Sequence, residues 1–581
     1  MLKKVLRIFS QNKRYLPIFL LISFGIIVRF LWLDRFPVGI NHDEAEVVLS
    51  AKSYWRLGTD ISGIGFPLSL VANETAAGMS GLPSFVLTPF FGPLATSLSN
   101  IRLIYLLLNL ATLGLIVGIV RFFSKSNVLS LFIVLVGLIN PWFFIYARTP
   151  TEAPFALFFT MLGTYLLFKL KGYWKIVSIL SFVFAYYSYF GAKPVTVVFV
   201  PLMLIIHQFY YKKENWKVLT VSLMTFLFLI GISFMGRGAG GTLSLRGGRE
   251  LVFSNLERFS SMVDEQRRAS ITLPFKELFY NKGHLLLNEM FSKYFGWLSS
   301  DFLFSGGDEP AIYRFGESGM YYILDFFLVI LGLTFLLKEK KIFKYLLGIM
   351  FIVAPVGAMV SSIGESYYFR GYLFIPLFII LISLGSVFLF ERLKKSFIGL
   401  SLITGIFFLF FINFLVFFFF RFPVKQQENY FLAGRVLSNY LFRAKGSSGI
   451  KVITTSPHAM YHQYLFYSDY FGGENISITP PSKTHEVDGI SLTSDCNDTE
   501  GDTLVVDARL NCKIVNKGPF VIIQDQKDAG TFFKIYGDKL CKDITLDEWR
   551  REHLLSDYAI EKMDSQTFCN RWIQKDLSKS F

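Results

Sequence analysis

Two adjacent carboxylates stand in the stretch Asn41-His42-Asp43-Glu44-Ala45, about ten residues after the first long apolar run of the chain. A carboxylate just outside a membrane helix is placed to take a proton from a hydroxyl that reacts at the bilayer surface. Three cations suit the same chemistry. Arg148 lies in Tyr146-Ala-Arg-Thr-Pro-Thr-Glu-Ala-Pro154, Lys193 ends the tyrosine-rich turn that contains Tyr189, and Arg370 lies in Tyr367-Tyr-Phe-Arg-Gly371. Each falls at the end of an apolar run, at headgroup depth, where arginine and lysine hold lipid phosphates. Plainer readings stand beside these. A cation at a helix end often only snorkels to water. Glu152 is either a first-turn acid or a partner of Arg148. Asp43 and Glu44 also fit the cap and first turn of a helix.

Together the residues suggest one reaction. A carboxylate deprotonates an acceptor hydroxyl as it attacks the anomeric carbon of a lipid-phosphate sugar. The lipid phosphate leaves with a growing negative charge, which the cations stabilise most in the transition state. One base suffices for a single inverting displacement, and no nucleotide or other cofactor is required.

The elements that must position these groups are membrane helices. The 581 residues are 52% hydrophobic and 17% aromatic, and mean hydropathy is +0.46. A soluble chain of this size carries more charge. Eleven apolar runs approach the length of a bilayer crossing, at about 15–33, 99–120, 127–146, 153–170, 174–190, 194–211, 217–236, 319–337, 342–361, 371–390 and 396–420. The first lacks a small-residue cleavage pattern and reads as a retained helix, not a signal peptide. The net charge of +15 does not imply nucleic acid, because basic residues cluster in every second loop, as at Arg121 and Lys125 or Lys338, Lys340 and Lys341. That is the positive-inside pattern, with the N-terminus cytoplasmic and everything after residue 420 outside. A multi-pass plasma-membrane protein is expected, with the bilayer as its permanent partner. Its membrane domain spans 1–420, with large outer loops at about 34–98 and 237–318, and a C-terminal domain spans 421–581.

In the first loop, Val47, Val48, Ala51, Tyr54 and Trp55 recur at helical spacing and predict a helix lying on the membrane surface. Gly58-Thr59-Asp60 and Gly63-Ile64-Gly65 then break it. The glycine-rich stretch 236–248, with Arg237 and Arg246 and followed by Arg249, is not a nucleotide loop, because it lacks the Gly-Lys-Ser/Thr ending. In the C-terminal part a helix is predicted over 424–445, and strands at Lys451-Val-Ile-Thr-Thr, Thr503-Leu-Val-Val-Asp and Phe520-Val-Ile-Ile, so the domain is α/β or α+β. All four cysteines, Cys496, Cys512, Cys541 and Cys569, lie there. An even set confined to an exported domain reads as disulfides in an oxidising compartment, with three full pairings open. Sequons occur at Asn73, Asn475 and Asn497.

Several of these motifs occur in a characteristic order. Arg29-x-x-x-Leu33-Asp34-x-x-Pro37 precedes Asp43-Glu44-Ala45 and Gly58-x-Asp60-x-x-Gly63-x-x-x-Pro67. Arg148 with Glu152-Ala-Pro, Lys193-Pro194 and Arg370-Gly-Tyr-x-x-x-Pro376 follow. Over about 15–420 this resembles the bacterial branch of the dolichyl-phosphate-mannose protein mannosyltransferase family, which includes the lipid A aminoarabinose transferases. Those are GT-C membrane glycosyltransferases. The resemblance implies a GT-C-like polytopic all-α fold, a polyprenyl-phosphate sugar donor and inverting transfer. It makes Asp43 the general base, with Glu44 orienting the acceptor. Arg148, Lys193 and Arg370 fall where the family holds the donor phosphate, with His42, Asp60, Glu152 and Tyr189 in support. Metal use in the family is mixed. No ligand cluster stands out here and no metal site is assigned, though His42 beside Asp43 and Glu44 is compatible with a divalent ion. The acceptor is a protein, lipid or glycan. Two alternatives remain open: a lipid-linked oligosaccharide transferase or polymerase of the same architecture, and a lipid or solute transporter. The sequon-reading motif Trp-Trp-Asp is absent, which counts against an oligosaccharyltransferase. Polar residues concentrated at helix ends rather than in mid-membrane count against a transporter.

Overall fold

Each of the eleven apolar runs contains a helix in the computed structural model, which describes residues 13–575 apart from a set of segments, the longest being 70–79, 233–250, 309–318 and 542–552. In chain order the main helices are α1 (Leu16–Phe30), α2 (His42–Leu57), α3 (Gly81–Phe91), α4 (Leu98–Phe123), α5 (Asn127–Ile139), α6 (Pro141–Tyr146), α7 (Ala153–Lys169), α8 (Ile176–Ser188), α9 (Ala192–Tyr210) and α10 (Trp216–Gly231). They continue with α11 (Leu256–Arg268), α12 (Lys282–Gly296), α13 (Ile323–Leu336), α14 (Lys341–Val353), α15 (Tyr367–Arg370), α16 (Phe374–Arg392) and α17 (Phe397–Val416). The C-terminal part adds α18 (Leu432–Arg443), α19 (Pro457–Tyr467) and α20 (Ser565–Trp572). Arg237, Arg246, Arg249, Asn73 and Asn475 lie outside the described residues.

Among the described residues, five helical stretches are long and apolar enough to cross a membrane: Leu98–Phe123, Ala192–Tyr210, Lys341–Met359, Phe374–Arg392 and Phe397–Lys425. The run 127–146 is not one helix. Asn140 leaves the helical conformation, and its Oδ1 accepts the Phe143 amide at 2.8 Å, so a new helix starts at Pro141. Helix α16 is buried on almost all sides and forms the centre of the bundle. It meets α13 at two glycines. A Cβ on Gly385 would stand 1.9 Å from the Leu328 carbonyl oxygen, and one on Gly332 would stand 2.0 Å from that of Leu381. Only glycine lets these two backbones approach so closely.

Helix α2 forms where the apolar spacing placed it, but not as a surface helix. Residues Glu44 to Tyr54 are all buried, and α2 packs against α3 and α19. Its apolar side is covered by protein rather than lipid.

The C-terminal domain holds a seven-stranded sheet of order β2-β3-β1-β4-β6-β5-β7. The strands are β1 (Ile450–Ile453), β2 (Thr484–Val487), β3 (Ile490–Thr493), β4 (Thr503–Asp507), β5 (Phe520–Gln524), β6 (Thr531–Tyr536) and β7 (Gln574–Lys575). Central β1 runs parallel to both neighbours, β3 and β4, while the remaining pairs are antiparallel. Strand β4 is buried at every position, as a central strand requires. Of the three possible pairings, the cysteines adopt Cys496–Cys512 and Cys541–Cys569.

Candidate functional site

The chain reaches Asp43 through an irregular segment, 31–41, which is buried from Phe36 onward. Helix α1 ends at Phe30, so its last carbonyls have no intrahelical partner. Three arginines from distant parts of the chain supply the missing donors. Arg148 donates to the carbonyls of Val28, Arg29, Leu31 and Phe36, the shortest contact being 2.7 Å to Leu31. Arg102 of α4 donates to Leu33 at 2.9 Å and Gly39 at 2.7 Å. Arg435 of α18 donates to Val38 at 2.6 Å and Asp34 at 3.2 Å, and its guanidinium is paired with Glu561. A guanidinium suits this task because it offers five donors in a rigid plane. At Gly39 the segment lies so close to the C-terminal domain that a Cβ would stand 2.1 Å from the Tyr430 carbonyl oxygen.

The stapled segment ends in a capping box. Asn41 Oδ1 accepts the Glu44 amide at 2.8 Å, and Glu44 Oε2 accepts the Asn41 amide at 3.1 Å. The two neighbouring acids are thereby separated in role. Glu44 points into the protein and is buried, and burial pushes its carboxyl up to about 8. Asp43 turns outward, half exposed, with Oδ1 3.0 Å from His42 Nε2. The hydrogen bond to Asp43 holds the His42 imidazolium above the usual histidine range.

Asp43 and His42 line a cavity of about 1070 Å³ between the helical part and the C-terminal domain. Arg370 and Tyr189 line the same cavity from the helical side. Arg370 is positioned by a residue that sequence reading did not assign. Asp308 accepts the amides of Tyr367 at 3.1 Å and Tyr368 at 2.7 Å, which caps α15 and fixes the turn that carries Arg370. The Phe369 ring lies 6.4 Å from that of Tyr189, so the two loops meet. The opposite wall comes from the C-terminal domain. Thr454 and Ser456 follow β1, Arg509 follows β4, and Glu428 and Phe431 precede α18. The carboxyl ends of β1 and β4 therefore face the cavity, at the point where the strand order diverges on either side of β1. Asp507 anchors this edge. It binds Arg509 Nη2 at 2.7 Å and Thr455 Oγ1 at 3.0 Å. Gln463 of α19 ties the two walls together by donating to the Ile40 carbonyl at 2.6 Å.

The remaining expected residues lie elsewhere. Arg148 is fully buried and does not line the cavity; its guanidinium also sits 5.1 Å from the Phe144 ring centroid. Glu152 is buried and accepts the Ser80 amide. Asp60 is buried in its own turn, where Oδ1 accepts the amides of Ser62 and Ile64 at 2.9 and 2.8 Å. Lys193 is absent from the cavity wall, with its ammonium 5.4 Å from the Tyr186 ring centroid and 5.5 Å from that of Phe190, but it stands four residues from Tyr189. Arg102, Arg435, Asp308 and Arg509 had no motif to mark them. Only the pattern of polar residues within apolar helices hinted at Arg102.

No protein-family model matches the chain, and no curated protein sequence matches it. Among solved structures, it is similar to ArnT from Cupriavidus metallidurans in the apo state, with 11% identity and a TM-score of 0.44, covering 89% of this chain and 97% of that one. It is also similar to ArnT from the same organism bound to undecaprenyl phosphate, with 12% identity and a TM-score of 0.42 over the same shares of both chains.

Proposed function

We propose that this protein is a membrane glycosyltransferase that moves a sugar from a polyprenyl-phosphate donor to an acceptor hydroxyl at the outer membrane face, with Asp43 as the base. The observation that carries the reading is the shared cavity: a half-exposed carboxylate at a helix start and an arginine from a segment more than 300 residues away line one space. The order of motifs from Arg29 to Pro376 supports the donor class.

The steps follow from the residues. The acceptor oxygen attacks the anomeric carbon while the bond from that carbon to the lipid phosphate breaks. The hydroxyl proton passes to Asp43 Oδ2, because Oδ1 is engaged by His42. Polyprenyl phosphate leaves, and the Arg370 guanidinium neutralises the charge it gains. Lys193 adds positive potential from the first turn of α9. Single displacement inverts the anomeric centre. Glu44, His42 and Arg148 act as positioning residues: the first two set the direction of Asp43, and the third holds the segment leading to it.

The test is to incubate purified protein with a panel of polyprenyl-phosphate sugars and detect released polyprenyl phosphate by mass spectrometry. Release that depends on Asp43 supports the reading. Equal release by the Asp43→Asn variant removes Asp43 from the mechanism. Vesicle flux of a labelled lipid-linked sugar, unchanged in Asp43→Asn and without product, would favour the transporter.

A further inference from the structure

We propose that helix α12 is an interfacial helix, seated in the bilayer surface by one apolar stripe. The stripe consists of Leu287, Phe291, Phe295 and Leu298, which are 53%, 56%, 55% and 49% exposed. At these spacings the first three side chains fall within one narrow arc of the helix, and Leu298 lies in the turn just beyond its end. Four large apolar side chains in a row are costly to leave in water.

The rest of the hairpin is built differently. On its other side α12 buries Leu285 against Phe259 and Val263 of α11. Helix α11 then turns Glu257, Arg258, Asp264, Glu265 and Arg268 outward. One helix of the pair therefore presents charge, and the other presents aromatic and aliphatic surface. The stripe itself is flanked by exposed Asn288, Ser292 and Ser299. An apolar arc bordered by small polar groups is the pattern of a helix lying in the headgroup region.

The occupant follows from continuity. Tyr294 of α12 donates its hydroxyl to the Ile352 carbonyl at 2.8 Å, and the Trp297 ring lies 5.1 Å from that of Phe351. Phe351 and Ile352 belong to the stretch Lys341–Met359, which is long and apolar enough to cross a membrane, and they are 44% and 56% exposed. The stripe thus begins where the outward surface of a membrane-length helix ends, and the same lipid covers both. The C-terminal end of α12 continues inward: Gly296 and Ser299 line the cavity. Bilayer surface and cavity meet on one helix.

The test uses full-length protein in liposomes. A nitroxide is attached to single variants L287C, F291C and F295C, and to E265C on α11; the four native cysteines are already paired. Collision with oxygen, which concentrates in lipid, is compared with collision with a water-soluble nickel chelate. An oxygen-to-chelate ratio several-fold higher at the three stripe positions than at Glu265 is expected. Equal chelate access at all four positions overturns the proposal, and so does protection from both colliders at the stripe, which would mean a protein covers it. A lipid carrying a carbene-generating photolabel gives an independent reading on the unmodified chain. Adducts are expected on the stripe as well as on Phe351 and Ile352. Adducts on α14 alone overturn the proposal. Neither outcome depends on whether the protein transfers sugar.

Discussion

Around the segment 28–41, Arg102, Arg148 and Arg435 are buried and spent on carbonyls of the main chain; at the cavity, Arg370 is partly open on the wall and Arg509 stands beside Asp507 and Thr455. Arg148 and Arg370 are the same residue type, each beside tyrosines at the end of an apolar run. What separates them is the local supply of hydrogen-bond acceptors. The end of α1 leaves carbonyls without a full set of helical partners, and the Arg148 guanidinium is spent on them. At α15 Asp308 caps the amides of Tyr367 and Tyr368, and Arg370, two residues on, stands on the cavity wall. The same contrast divides Asp43 from Glu44. One residue of helical rotation turns one acid into the capping box and leaves the other facing the open space.

Four measurements test this contrast. The largest effect is expected for Asp43→Asn in the release assay, a loss of roughly 10²–10⁴-fold in turnover, the range of general-base catalysis. That is about 3–5 kcal/mol of barrier, with donor binding retained. A drop in donor affinity of the same size would move Asp43 from chemistry to binding. Next is Arg148→Ala, which strands the buried carbonyls of Arg29 and Phe36 at a cost of about 1–3 kcal/mol each. Its thermal unfolding in detergent should fall well below that of the unaltered protein. A stable variant that has lost only donor affinity would return Arg148 to the phosphate.

Arg370→Ala is expected to behave oppositely. Donor affinity should weaken by about 10–100-fold, in line with one lost charge-assisted hydrogen bond, with little change in unfolding temperature. The smallest effect concerns pH. Burial raises the Glu44 carboxyl from its ordinary 4.5 to about 8. A group raised in the folded state contributes stability that is complete below 4.5 and is lost as pH rises through about 8. Glu44→Gln keeps a carbonyl acceptor for the Asn41 amide and removes this titration. Its unfolding temperature should therefore vary less with pH across that window, as scanning fluorimetry would show. An unchanged slope would mean that Glu44 is not the titrating group.

Much of the fold was legible because apolar length is a local signal. Each of the eleven runs yields a helix, and the strands at 450–453, 503–507 and 520–524 stand where short β-rich runs were read. The helix from His42 was legible in the spacing of Val47, Val48, Ala51 and Tyr54, but its burial was not. Periodicity marks an apolar side without saying whether lipid or protein covers it, and here α3 and α19 do. The cavity was half legible. Asp43 and Arg370 carry sequence signals, whereas the wall formed by Arg509, Thr454 and Ser456 carries none. It exists because the parallel strands β1 and β4 end side by side, which is a property of chain topology.

By itself, then, the sequence determined a membrane-embedded helical chain with a disulfide-bearing α/β domain, and an acid placed at the start of a helix. Only the folded chain put Arg370, and not Arg148, on the wall of the cavity that Asp43 lines. Contacts such as Arg435 with Val38 join residues almost 400 positions apart. Whether a guanidinium is spent on main-chain carbonyls depends on which buried acceptors the fold brings within about 3 Å.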